Sequence, residues 1–307
     1  MRQEFEVDEE YDGQRLDKYL AQIYQGQSRS FFQKLIRSGN AEINHRTAAK
    51  NSILLENGDL VSIEIPEARS VEILPENIPL DILYEDDDLL IVNKPKGMVV
   101  HPSAGHYSGT LVNAVMYHCR DSLSGINGEI RPGIVHRIDM DTTGSLIVCK
   151  NDQAHTEIAR QIKEHSVTRK YRGIVCGVVK DDEGTIHGDI GRHPVQRKKM
   201  AVTAKNGKPA TTHYRVLERF DKFTYMEFQL ETGRTHQIRV HMSDRGYPLL
   251  GDELYGGTGK HYAVKGLQGQ TLHAMTIGFV HPSTHQYMEF SAPLPQYFEC
   301  LLNKFRK

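Results

Sequence analysis

Between residues 89 and 231 the chain carries four short apolar runs, LLIVNK, GSLIVCK, YRGIVCGVV and TYMEFQLE. They are rich in β-branched side chains and bounded by turn residues, which reads as strands. Helical spacing occurs at 108–118 and 152–164. This order lacks regular βαβ alternation and predicts an α+β domain built on a mixed, largely antiparallel sheet.

A smaller unit precedes it. GQRLDKYLAQIYQ places Leu16, Tyr19, Leu20 and Ile23 on one helical face, and SRSFFQKLIRSG opens with Ser28 as a helix cap and closes with Gly39. AEIN and GDLVSIEIPE follow, with Val61, Ile63 and Ile65 alternating as in a half-buried strand. The segment 66–79 has three prolines and weak periodicity, the composition of a connection between domains. The chain therefore divides into a small α/β domain at 13–75 and a larger one at 80–303.

With 38% hydrophobic and 25% charged residues in 307, the chain is an ordinary globular sequence, long enough for two domains. Cys119, Cys149, Cys176 and Cys300 have no paired spacing, which predicts free thiols in a reducing compartment. The acidic start MRQEFEVDEEYDG does not resemble a signal peptide, and no run reaches membrane-helix length, so a soluble cytoplasmic protein is expected.

The 38 basic and 39 acidic residues nearly cancel, so any attraction for a polyanion must be local. Arg29 to Lys50 holds five basic residues against one acidic, and Arg192 to Lys208 holds six against none. One such cluster reads as a solvated face; two, one of them beside short helices, point to RNA.

Several chemistries lack their sequence requirements. GGTGKH at 256–261 misses a phosphate loop at Leu254 and His261, no G-x-G-x-x-G follows a strand, and the zinc deaminase signature is absent. No metal and no cofactor is expected.

Two polar constellations remain. In GIVHRIDMDTTGSLIVCK the arms Ile134-Val135 and Leu146-Ile147-Val148 read as strands around a charged loop. There Asp139 could be a nucleophile or base, Asp141 a turn cap, Arg137 a partner cation, and Thr142-Thr143-Gly144 a source of donors at a bend. Taken alone, the nine residues read more simply as a turn. The second, LETGRTHQIRVHMSDRGYPLLGDELYG at 230–256, alternates like a strand and would put Arg234, His236 and Ile238 on one face, with His236 and His241 on opposite faces. An inward arginine calls for a carboxylate, and an Asp–Arg pair would keep that carboxylate ionised.

HRIDMDTTG resembles the H-R-L-D-x-x-T-S-G signature of the RluA-type pseudouridine synthases. VNKPKGMVVHPS (92–103), RKYRGIV (169–175), GRTHQIRVHM (233–242), GDELYG (251–256) and LHA (272–274) resemble further family blocks in the same order. Ile138 and Thr143 depart conservatively from the family's leucine and serine. The N-terminal unit resembles the alpha-L RNA-binding domain of the ribosomal RNA members, especially the D-type.

The resemblance implies a pseudouridine synthase fold that isomerises uridine in RNA without cofactor or metal: the glycosidic bond breaks, the uracil turns, and carbon 5 joins the ribose. It implies Asp139 as the catalytic carboxylate, Tyr171 as the tyrosine packing on the base, and Arg234 as the arginine that pairs with the aspartate. It gives Arg137 the role of filling the space left by the flipped nucleotide, and places His136, Thr143, His236 and Arg239 among the substrate-binding groups. Arg15, Arg29, Lys34, Arg37, Arg197, Lys198 and Lys199 are expected to grip RNA. The expected partner is large-subunit ribosomal RNA or an assembling subunit, met by a monomer. A non-catalytic assembly factor is the competing reading, opposed by Asp139, Tyr171 and Arg234 occurring together. A hydrolase using Asp139 and Asp141 lacks an opposed second carboxylate.

Overall fold

Strands that stay apolar at every position need cover on both faces. The stretches LLIV at 89–92 and LIVC at 146–149 are of this kind, and the computed structural model shows how they are covered. It describes residues 2–24, 28–65, 73–103, 105–120, 122–126, 132–196, 198–257 and 262–307. The chain forms two compact units, Met1–Ser70 and Val71–Lys307.

In the first unit, β1 (Arg2–Glu6), α1 (Leu16–Ile23), α2 (Arg29–Arg37), β2 (Ala41–Ile43), β3 (Arg46–Thr47) and β4 (Leu60–Glu64) build an antiparallel sheet of order β1-β4-β2-β3 under two helices. The sheet starts before residue 13, because β1 pairs with β4 along its whole length. Leu16, Tyr19 and Leu20 of α1 and Phe32, Leu35 and Ile36 of α2 close a core with Val61 and Ile63. Ser28 caps α2 by accepting the Phe31 amide, and Gly39 follows the helix in the left-handed region at φ 77°.

The second unit contains β5 (Ile82–Glu85), β6 (Leu89–Lys94), α3 (Leu111–Cys119), β7 (Thr143–Cys149), α4 (Asp152–Lys163), β8 (Thr168–Cys176), β9 (Glu183–His187), β10 (Ile190–Arg192), β11 (Met200–Val202), β12 (Thr211–Arg219), β13 (Phe223–Leu230), α5 (Gln237–Asp244), β14 (Leu272–Val280), β15 (Tyr287–Ser291) and α6 (Gln296–Phe305). Among the described residues the main sheet runs β5-β6-β7-β14-β8-β13-β12-β9, with β15 beside β14. The β7–β14 pair is parallel and its other pairs are antiparallel. The fold is thus α+β around a mixed, largely antiparallel sheet.

Alternation along β6 and β7 divides their side chains between two cores. Leu90, Val92, Leu146 and Val148 pack with Leu111, Val112 and Val115 of α3. Leu89, Ile91, Ile147 and Cys149 pack with Ala154 and Ile158 of α4. Cys119, Cys149 and Cys176 are buried free thiols, and Cys300 is exposed. No helix among the described residues is long and apolar enough to cross a membrane.

Two expected strands are absent. Ile134 makes one isolated bridge to Val148, so Ile134-Val135 is not a strand. Residues 237–244 form α5 rather than a strand, so Arg234, His236 and Ile238 do not share a strand face, although all three line one cavity. Helix α5 is buried from Gln237 to Met242. Its buried Gln237, Arg239 and His241 alternate with Ile238, Val240 and Met242, which gives the spacing of a strand instead of a helical stripe.

Where β7 meets β14, Gly144 sits at φ 108° and a Cβ there would overlap the Ala274 carbonyl. Gly144→Ala should cost more than about 1 kcal/mol, from left-handed strain together with the steric clash. Urea denaturation should show this as a lower midpoint at an unchanged slope.

Candidate active site

The charged loop leads directly into β7. Its turn is closed by the Thr142 amide donating to the Asp139 carbonyl at 3.0 Å. The Asp141 carboxylate packs against Gly269 instead of capping that turn. Lys94, at the end of β6, is 1% exposed and donates to the carbonyls of Pro95, Met98 and Met140 at 2.8, 2.7 and 2.9 Å. All three ammonium donors are thus occupied, and one of them holds the loop at Met140. Burial pulls the Lys94 ammonium down to about 7 against the pull of Asp141 and Asp139.

Asp139 faces a cavity with an apolar floor of Ile138, Leu230, Ile238 and Leu272. Tyr171 from β8 lines the same cavity. The carboxylate accepts a hydrogen bond from Arg239 at 2.9 Å, and His236 Nε2 lies 3.8 Å from its other oxygen. The ion pair expected from Arg234 is therefore made by Arg239. Arg234 lines the cavity while its Nε donates to the Pro209 carbonyl at 3.0 Å. The change follows from α5: His236 holds the left-handed cap position at φ 58°, and the helical turn after it brings Arg239 inward.

Arg239 is itself anchored. Its Nε and second terminal nitrogen donate to Asp252 at 2.7 and 3.0 Å, and Asp252 is 1% exposed. Asp252 also accepts the Leu254 and Tyr255 amides. The Tyr255 ring lies 5.1 Å from the guanidinium, and its hydroxyl bonds His236 Nδ1 at 2.9 Å. Burial works against the Arg239 cation, but Asp252 and Asp139 hold its pKa above the usual range. Burial keeps His236 below its ordinary value, and raises the Tyr171 phenol despite Arg169 nearby. The cavity thus offers one carboxylate, a neutral phenol, a fixed cation and an apolar bed suited to a planar base.

Asp141 lines a different cavity with Asp252 and Gly269, so it does not oppose Asp139 as a hydrolase pair would. Thr143 also misses the Asp139 cavity: its hydroxyl bonds His273 Nδ1 at 2.8 Å inside the sheet. Arg137 lines the cavity, exposed, within 3.3 Å of His101 Nε2. His136 turns away from Asp139, and its Nε2 accepts the Ile147 amide at 2.9 Å.

The family model described as RNA pseudouridylate synthase matches residues 88–244, and that of the S4 domain matches 14–61. The chain belongs to the RNA pseudouridylate synthase family. A Bacillus subtilis relative named uncharacterized RNA pseudouridine synthase YlyB is 50% identical over 299 residues, 97% of this chain and 96% of that protein. A Zymomonas mobilis relative named ribosomal large subunit pseudouridine synthase D is 44% identical, covering 95% of this chain and 94% of that one. The solved human RNA pseudouridylate synthase domain containing 1 superposes with a TM-score of 0.57 at 26% identity, over 78% of this chain and 98% of that one.

In this pseudouridine synthase, Lys94, Asp252 and Tyr255 escaped sequence reading as site residues. Each stood inside a quoted block, but a buried lysine or aspartate has no local signature until its partners are known. In the S4 domain, Arg15 and Arg29 are exposed yet tied to the buried Asp17 at 3.0 and 3.1 Å. Lys34 and Arg37 are exposed on α2. Lys198 and Lys199 lie between β10 and β11, with Lys199 6.0 Å from the Tyr255 ring centre. Arg197 and residues 258–261 of the GGTGKH stretch lie outside the described residues. Among the described residues no three His, Cys, Asp or Glu side chains form a group able to hold a metal ion.

Two outcomes test this geometry. Lys94→Met should destabilise the synthase by on the order of 3 kcal/mol, because three carbonyls lose their donor. Turnover should fall more than RNA affinity, which single-turnover kinetics beside binding titrations will separate. For His136, burial and then Arg169 push the imidazole down to about 3, against about 6.5 in an unfolded chain. The folded value is the lower one, so the unfolded chain binds the extra proton and stability falls as pH drops from about 6.5 toward 3. His136→Gln should remove close to one proton from the slope of unfolding free energy between about pH 4 and 6, read from urea titrations across pH.

Proposed function

We propose that this synthase converts uridines of large-subunit ribosomal RNA to pseudouridine in the cytoplasm, acting as a monomer. The single observation that carries the chemistry is Asp139, held by Arg239 in a cavity that Tyr171 lines together with Ile138, Leu230, Ile238 and Leu272. The relatives named ribosomal large subunit pseudouridine synthase D, at 44% identity over nearly the whole chain, support the choice of RNA. The S4 domain supports RNA recruitment.

Asp139 acts on the target nucleoside, at the sugar or after the glycosidic bond has broken. Arg239 holds its carboxylate in place through a direct ion pair. Tyr171 presents a neutral ring and hydroxyl to the uracil while the base turns within the cavity. His236 and Arg234 line the substrate cavity, and Arg137, exposed at its rim, fills the space left in the RNA by the flipped nucleotide. Unstacking the target base costs a few kcal/mol, which an unpaired uridine in a loop reduces. Lys34 and Arg37 of the S4 domain and the lysines between β10 and β11 contact phosphates. A non-catalytic assembly factor would have no need of the Asp252–Arg239–Asp139 chain.

Asp139→Asn should bind RNA with near-normal affinity and form no pseudouridine, as read by chemical mapping of pseudouridine in large-subunit RNA treated with each protein. Conversion at the wild-type rate by Asp139→Asn would remove the carboxylate from the chemistry. Failure of the wild type to modify any large-subunit uridine would remove the proposed substrate.

A further inference from the structure

Behind Tyr171 lies a second, larger cavity of about 590 Å³. It shares Arg137, Tyr171, Leu230 and Arg234 with the Asp139 cavity and continues along His136, Arg169, Lys163 and His165. Its charged lining is entirely basic: Arg137, Lys163, Arg169 and Arg234, with no carboxylate among the described lining residues. The volume falls within the range of about 300–1,000 Å³ typical of small-ligand sites, enough for more than an isolated anion.

Arg169 is the unusual member. It is 7% exposed, and one terminal nitrogen donates to the Glu231 carbonyl at 3.0 Å. Its Nε is buried without a hydrogen-bond partner among the described residues. The Glu231 carboxylate bonds His213 instead, at 2.6 Å. Arginine is almost never fully buried unpaired, because desolvating a guanidinium costs several kcal/mol when no anion balances it. Gly233 preserves the arrangement: a Cβ there would run into the Arg169 guanidinium. Among the described lining residues no carboxylate balances this guanidinium, and the cavity it lines leaves room for an external anion.

Resting on the function proposed above, we propose that this cavity is a phosphodiester-binding subsite for the RNA strand next to the flipped uridine, with Arg169 as its buried cation and Lys163, Arg137 and Arg234 as its rim. One backbone phosphate neighbouring the target enters the cavity and balances the Arg169 charge. Guanidinium–phosphate bonding fixes the strand's register relative to Asp139, which positions the target without reading any base. Arg169 is a positioning residue: it touches the strand beside the reacting nucleoside.

The test uses full-length protein carrying Asp139→Asn, so that binding is read without turnover. The probe is a synthetic stem-loop RNA around a uridine that the wild type converts, with single methylphosphonate linkages placed in turn at each position within three nucleotides of it. One linkage should weaken binding about tenfold, the loss of one charge-assisted contact. Arg169→Met should bind all the RNAs with that position-dependence erased, and Arg169→Lys should restore part of it. On unmodified RNA, Arg169→Met and Lys163→Gln should each lower the slope of log affinity against log salt by about 0.7, the value for one single-strand phosphate. Lys163 is exposed, so its variant reports even if Arg169→Met fails to fold. Equal binding of every methylphosphonate RNA by the parent protein, or a position effect that survives in Arg169→Met, would overturn the subsite. An unchanged salt slope in Lys163→Gln would do the same for its rim. Wild-type conversion of the unmodified stem-loop beside such a result leaves the proposed function standing, whereas no conversion of any RNA defeats that function itself.

Discussion

Asp139 and Asp252 come from turns far apart in the chain, and two carboxylates brought together in a poorly solvated place repel one another. Arg239 makes their proximity stable, with two nitrogens on Asp252 and the third on Asp139. Because Asp252 is buried and already holds the Leu254 and Tyr255 amides, the guanidinium is fixed before any substrate arrives. Removing one member of a buried pair costs about 3–5 kcal/mol, chiefly by leaving a charge unmatched. The aim of Asp139 is thus inherited from a residue that does not line its cavity.

The sheet supplies the other half of that rigidity. Parallel pairing of β7 with β14 is possible only because Gly144 lets the Ala274 carbonyl approach, and Ser145 then donates to the same carbonyl at 2.8 Å. Lys94 reaches from the end of β6 to the Met140 carbonyl, so the loop is tied from the neighbouring strand as well. Tyr171 comes from β8, which pairs with β14 on the other side, with Ala274 opposite Tyr171. Three strand pairings therefore set the carboxylate and the phenol relative to each other. A loop mounted this way needs little reorganisation when a ligand enters the cavity.

Much of this was legible in the sequence where period and turn chemistry act locally. The apolar runs of β6, β7, β8 and β13 were strands, Ser28 capped α2, and the spacing at 108–118 and 152–164 marked α3 and α4. Asp139 and Tyr171, singled out by resemblance, line one cavity. What escaped was decided by tertiary contacts. Helix α5 is buried on too many sides to show a helical period, and the pairing that the resemblance gave to Arg234 is made by Arg239. Thr143 carries a hydroxyl as its motif suggests, yet the pleat turns it toward His273. A linear pattern cannot show which of two arginines five residues apart a helix will turn inward.

The near-zero net charge hides a division of labour among the cations. Arg239 is neutralised inside the protein by Asp139 and Asp252, while Arg15 and Arg29 share the buried Asp17. Those contacts stabilise geometry, but they do not cancel alike: Arg239 stands between two carboxylates, whereas Arg15 and Arg29 share one and keep a positive charge in excess for a polyanion. Around the second cavity the accounting differs: Arg137, Lys163, Arg169 and Arg234 line it with no carboxylate among the described lining residues. Screening at physiological salt cuts off exposed charges beyond about 8 Å, so only a strand already close to the site feels this cluster strongly. On the subsite proposed above, the cavity beside Tyr171 therefore acts on a strand already at the site, where register rather than encounter decides which uridine reaches Asp139.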